Sequence, residues 1–335
     1  MKRHTFNTLM RRLSKAGFDR DFVRRSILPD WWDDSCEQDI DLLTDIEIRV
    51  TRFLEISLNN VRDTMMTLHP PSYPNARLRR RRDIEKDRLE PAIHSALQIS
   101  GAVVRSSSLI NLQSRSLPPD GLEWRNDIKP SGDAVTLDEI LSDLWSRGIP
   151  IVPLQFLPSP SFQGLACIVE DHPVIVLGHK FDEPGRVAHF VAHEVGHIAA
   201  NDCAPDQPIV DEQEDIVDLS DIEINADRFA TRFLVGQEEL PDIDGSDFRN
   251  LAENAINIEE KTGADASAII FAWASQTRDY SMATMAVRAL YRGSGARQLL
   301  RKHFDSNVDL NLAAESDRAL LRCVYGDTDQ DAVID

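Results

Sequence analysis

The stretch RVAHFVAHEVGHIAAND, residues 186–202, constrains this chain more than any other. Histidine recurs there at four-residue spacing, as His189, His193 and His197, and Glu194 directly follows the middle one. Side chains four apart share one stripe of an α-helix. Val187, Phe190, Val191, Val195 and Ile198 supply apolar partners at helical spacing. A helix started by Asp182 and Pro184 is therefore predicted.

His193-Glu194-Val195-Gly196-His197 fits the pattern HExxH. Two imidazoles at i and i+4 can converge on one Zn²⁺. The residue after the first histidine lies about 100° round the helix, so Glu194 can reach a water on the metal without ligating the metal. Zinc lowers the pKa of such a water, and a carboxylate can accept its proton during attack on a peptide carbonyl. Glu194 is thus the expected catalytic base, and His193 and His197 are expected ligands. The bland alternative is two surface histidines beside an acid. The apolar partners, and two apparent strands just before the helix, weigh against it. Gly196 inside a helix costs roughly 1 kcal/mol relative to alanine, which points to a close approach at that position.

His189 is not the third ligand. It lies two turns, about 12 Å, from His197, so it is expected to pack as a half-buried ring or line the edge of the site. The longer metzincin pattern needs glycine at 200 and histidine at 203, where this chain has Ala200 and Cys203. Cys203 can ligate zinc in principle but reads as a small buried side chain. The better candidate lies in SDIEINADRFATRFLVG, residues 220–236. Glu223 and Asp227 share one helical face, with Ile222, Phe229, Phe233 and Leu234 for packing. Glu223 can complete a His₂Glu set and leave a fourth position open. Asp227 can then accept the second N–H of a ligating histidine. Ser220 to Glu223 also reads as a capping box, which gives Glu223 a competing role at the start of its helix.

HEVGH followed by E-x-x-A-D-x-F-A (Glu223, Ala226, Asp227, Phe229, Ala230) resembles the ImmA/IrrE metallopeptidases. A helix, RGIPIVPL and two strands precede the motif in that family's usual order, and the resemblance covers residues 130–240. It implies a zincin-like domain with zinc on His193, His197 and Glu223, and Glu194 as the catalytic glutamate. It also implies an N-terminal helix-turn-helix domain similar to phage-type repressors. Implied partners are a protein substrate, such as a repressor or antitoxin, in stress responses or mobile-element control. Two positions depart from the family pattern. His189 stands where phenylalanine is frequent, and Phe233-Leu234-Val235-Gly236 replaces an LLMP close. Neither change removes a ligand.

The rest of the 335-residue chain is read around this domain, as two or three domains in all. Residues 1–66 are predicted to form a small helical domain. Its helices include FNTLMRRLSKAG, DRDFVRRSILPDWW, a helix opened by a Thr44/Glu47 capping box, and one capped by Ser57. Residues 67–133 are read as a linker and connecting helix, with an irregular surface segment from 105. Residues 134–240 are the metallopeptidase domain. It opens with a helix capped by Thr136 and Glu139, then the edge segment IPIVPLQFL, then two strands in a small antiparallel sheet packed on the HExxH helix. Residues 241–335 are predicted helical, with Trp273, Met282, Met285 and Tyr291 in the core. Tyr280, Tyr291 and His303 are possible oxyanion donors but read as structural. The fold class is α+β.

A net charge of −19 disfavours broad nucleic-acid binding. Lys2, Arg3, Arg11, Arg12, Lys15, Arg20, Arg24 and Arg25, and the run RLRRRR, leave DNA contact through residues 1–66 open. The acidic stretch from Asp30 to Glu47 favours a protein partner there. Four scattered cysteines, no apolar run of membrane-spanning length and no secretory signal point to the cytoplasm and to no membrane. The leading expectation is a zinc endopeptidase acting on a specific protein. The alternative is a non-enzymatic DNA- or repressor-binding regulator with a structural or vestigial metal site.

Overall fold

The computed structural model describes residues 4–73, 76–79, 86–107, 116–130, 134–178, 181–205, 207–211, 221–290 and 294–324. Lys2, Arg3, Arg80–Arg82, Ser220 and Tyr291, named above, lie outside the described residues.

Four short helices open the chain: α1 (Phe6–Lys15), α2 (Arg20–Ser26), α3 (Ile40–Leu54) and α4 (Leu58–Arg62). Local rules account for most of them. Phe6, Leu9, Met10 and Leu13 are buried along α1, and Ser57 caps α4. The start of α3 differs from expectation, because its N-cap is Asp39 and Thr44 lies inside the helix. Glu47 does not serve a cap. It is buried and paired with Arg62 at 2.7 Å and His4 at 2.7 Å. β1 (Arg77–Arg79) and α5 (Lys86–Arg105) follow.

Residues 105–133 are not simply an irregular surface. They contain α6 (Gly121–Ile128), whose Trp124 is fully buried and stacks on Phe233 with ring centroids 3.8 Å apart. α7 (Leu137–Ser146) carries the expected Thr136/Glu139 capping box. β2 (Ile151–Pro153), β3 (Gly164–Val169) and β4 (His172–Leu177) lead into α8 (Pro184–Ala199), the helix of the histidine repeat. Proline at its first turn matches expectation, but the N-cap is Glu183 rather than Asp182. After β5 (Ile209–Asp211) come α9 (Asp221–Val235), α10 (Phe248–Thr262), α11 (Ala266–Thr277), α12 (Tyr280–Ala289), α13 (Ala296–Asn307) and α14 (Glu315–Leu321).

The fold is α+β. Among the described residues five strands form one sheet, in the order β1-β5-β3-β4-β2. The sheet is mixed and not antiparallel as expected. β3 pairs antiparallel with β4 and β5, whereas β2 runs parallel to β4 and β1 parallel to β5. The cause is connectivity. Pro153, Leu177 and Gly164 lie at one end of the sheet, so residues 154–163 cross over the end of β4 to start β3. β4, returning from the β3–β4 hairpin, fills the place between them and runs parallel to β2, which takes the expected edge position.

Alternation along the strands separates two cores. Val152, Leu165, Cys167, Val174 and Val176 face a core shared with α5 and the N-terminal helices. Ile151, Ile175 and Leu177 face the core of α7, α8 and α9. A third cluster joins α10, α11 and α12, with Trp273 and Met282 packed against it and Met285 exposed, contrary to expectation. Among the described residues no helix is long and apolar enough to cross a membrane.

Candidate metal centre

α8 lies between the sheet and the helices behind it, and every residue from Gly185 to His197 is buried. Its crossing with α9 is set by small residues. A Cβ on Gly196 would stand 3.0 Å from Ala226 Cα and 3.2 Å from Phe229 Cβ. This is the close approach expected at Gly196. It brings Glu223 and Asp227 of α9 onto the histidines of α8.

The Nε2 atoms of His193 and His197 are 3.2 Å apart. Glu223 Oε2 lies 3.3 Å from His193 Nε2, and Oε1 lies 3.7 Å from His197 Nε2. One donor atom from each of the three falls within 4.8 Å of the others, all three side chains are buried, and no second such group occurs among the described residues. The far side of each ring is held by a carboxylate. His193 Nδ1 donates to Asp227 Oδ1 at 2.9 Å, and His197 Nδ1 donates to Asp202 Oδ2 at 3.3 Å. A proton on Nδ1 leaves the Nε2 lone pairs turned toward one point. Two imidazoles and one carboxylate are the donor set of open, three-ligand zinc sites, so the residues fit that ion.

The centre favours positive charge. Burial opposes a charge on His193, but hydrogen bonds and charge from Asp227 and Glu223 outweigh it and hold its pKa well above the ordinary imidazole value.

Glu194 is fully buried and is not one of the three donors. Its carboxylate lies over the start of β3, where a Cβ on Gly164 would be 2.3 Å from Oε1. The absence of a side chain at 164 therefore makes the space that Glu194 occupies.

His189 is buried, edge-on to Phe190 with centroids 6.4 Å apart, and outside the donor group. Cys203 is half-buried and also outside it. His303 pairs with Asp138 at 2.8 Å, and Tyr280 lies in the third core cluster.

Three residues of the centre escaped sequence reasoning: Asp202, Gly164 and Arg278, whose Nη2 donates to Asp227 Oδ2 at 3.1 Å. An acid just past the last turn of an HExxH helix, and a glycine opening a strand, were usable signals for the first two. Arg278 had none. In comparisons with known proteins, no family model matches this chain, and no curated protein or solved structure matches it.

Proposed function

We propose that this chain is a zinc-dependent endopeptidase that hydrolyses a peptide bond in a specific protein partner. The observation that carries the reading is the convergence of His193, His197 and Glu223 on one point while Glu194 is held aside, against Gly164. A structural ion needs ligands but no carboxylate stationed beside them, so the placement of Glu194 favours an enzyme over a structural or vestigial metal site.

In this reading His193, His197 and Glu223 hold the ion, and Asp227 and Asp202 fix the two rings. Zinc, when bound, supplies a Lewis acid that polarises a carbonyl and makes water a nucleophile near neutral pH. Glu194 accepts the proton of the attacking water and returns it to the leaving amine. Its burial keeps bulk water from competing for that proton.

The resemblance of HEVGH and E-x-x-A-D-x-F-A to the ImmA/IrrE motifs supports the same chemistry. It also extends the reading to a cytoplasmic regulator whose substrate is a helix-turn-helix repressor or an antitoxin. α1 to α4 are then the recognition surface, and a protein partner suits them better than DNA. Several of their basic residues are engaged within the chain: Arg12 on the Asn60 carbonyl at 3.0 Å, Arg20 on Glu37 and Arg24 on Asp34.

The test is cleavage of a randomised peptide library by the wild-type chain and Glu194→Gln, matched for zinc content. Cleavage by the wild type, reduced in Glu194→Gln by about 10²-fold or more, is expected on the scale of a lost general base. Equal cleavage by the two would end this mechanism.

A further inference from the structure

Asp227 gives only one oxygen to His193. The other, Oδ2, accepts the hydrogen bond from Arg278 Nη2 at 3.1 Å. Arg278 belongs to neither helix of the metal centre. It is the residue that ends α11, in left-handed conformation at φ 65 and ψ 14, with its backbone N–H on the Ala274 carbonyl at 2.8 Å. Glycine is the residue this cap favours, because a Cβ is strained there. α10, the preceding helix of the same core, ends in the same conformation on Gly263 at φ 68, and α3 ends in it on Glu55 at φ 56. The conformation favours glycine without requiring it, and what distinguishes Arg278 is the partner that its side chain reaches.

That side chain is 24% exposed and reaches the side of Asp227 away from His193. A cleft of about 410 Å³, lined by Asp227, Thr231, Ser275, Gln276 and Arg278 among others, opens beside the pair. A carboxylate held at one oxygen can still turn about its last bond. Held at both oxygens by groups on different helices, its plane is fixed.

We infer that Arg278 is a positioning residue for the metal centre. Acting through Asp227, it fixes the ring of His193 so that Nε2 points at the ion, and it ties the C-terminal helices to the site. This rests on the zinc reading above. Arg278 touches neither ion nor substrate, so its effect should appear first in how tightly and in what geometry the metal is held.

The backbone supplies a clean variant. Arg278→Gly removes the guanidinium while providing the residue that the left-handed cap favours, so the cap itself is not weakened. The full-length chain is titrated with zinc against a chromophoric chelator, and the cobalt-substituted protein is examined by visible spectroscopy. Arg278→Gly should bind zinc about tenfold more weakly, the lower end for loss of an outer partner of a ligand. Its cobalt spectrum should change, and its metal-free melting temperature should stay near the wild-type value, the gain at the glycine cap offsetting the lost Arg278–Asp227 pair. Arg278→Lys, which keeps a donor within reach, should recover part of the affinity. If the glycine variant does not fold, Arg278→Gln makes the same comparison with most of the stem retained, and the same loss is expected. Wild-type affinity with an unchanged cobalt spectrum in the folded variant overturns the role of Arg278 and leaves the zinc reading standing. A wild-type chain that binds no zinc overturns both.

Discussion

Adding one methyl group at Gly164 should separate metal binding from catalysis. A Cβ there would lie 2.3 Å from Glu194 Oε1 and 3.2 Å from its Cδ. Carbon–oxygen contacts settle at about 3.3 Å or more, so the carboxylate must retreat by about 1 Å. It is fully buried and cannot relax into solvent. A shift of about 1 Å in a reacting group can lower a rate by about 10²-fold, and this is the loss expected of Gly164→Ala. Stability should barely change. Gly164 is not among the positive-φ glycines, so alanine is tolerated by the backbone. The reduced freedom of the unfolded chain contributes about 0.4–1 kcal/mol, and a displaced Glu194 rotamer costs about 0.5–1.5 kcal/mol. Zinc content should equal that of the wild type, since the methyl meets none of the three donors. The assay is the cleavage rate of the best library peptide at saturating zinc, beside elemental analysis and a melting curve. Wild-type activity in Gly164→Ala would show that Glu194 does not act from its place against β3. Loss of zinc together with activity would show that the glycine serves the metal and not the base.

Asp202→Asn and Asp227→Asn should each weaken zinc binding about 10- to 100-fold in chelator competition, because each removes the charged partner of one ligand ring. Gly196→Val should destabilise the protein by about 1–3 kcal/mol in chemical denaturation, because the added carbons meet Ala226 and Phe229 on α9. His94 accepts from the Tyr73 hydroxyl on Nδ1 at 2.6 Å and donates to the Phe53 carbonyl through Nε2, and burial lowers its pKa despite that second bond. The unfolded chain therefore binds this proton more readily. The stability tied to neutral His94 is present above pH about 6.5 and is lost as pH falls through the lower folded value. Denaturation at pH 7.5 and 5.5 should show a smaller difference in His94→Gln than in the wild type.

What could be read from the sequence was what short-range spacing encodes. His193, Glu194 and His197 sit within one helical turn of each other, and Glu223 and Asp227 share a face of α9, so each set carries its own geometry. The apolar stripe of α1 and the caps at Ser57 and Thr136 are equally local. Local patterns can also compete. Thr44 to Glu47 fits a capping box, but Asp39 caps α3 and Glu47 is taken by Arg62 and His4. The features missed depend on distant parts of the chain. α6 is held by Trp124 stacked on Phe233, a partner that polar neighbours in its own segment do not reveal. Parallel pairing of β1 with β5 joins strands far apart in sequence. The link from Arg278 to Asp227 spans two helices, and nothing in the spacing of either residue predicts it.

X-ray absorption at the zinc edge on the purified wild-type chain tests whether His193, His197 and Glu223 build a zinc centre. About one zinc per chain is expected, with nitrogen and oxygen neighbours at about 2.0–2.2 Å, an imidazole scattering pattern and no sulfur. Glu223→Ala should lose an oxygen neighbour, or zinc itself. A sulfur neighbour at about 2.3 Å would bring Cys203 into the site in place of Glu223, and a chain that takes up no zinc would show that these three residues hold none.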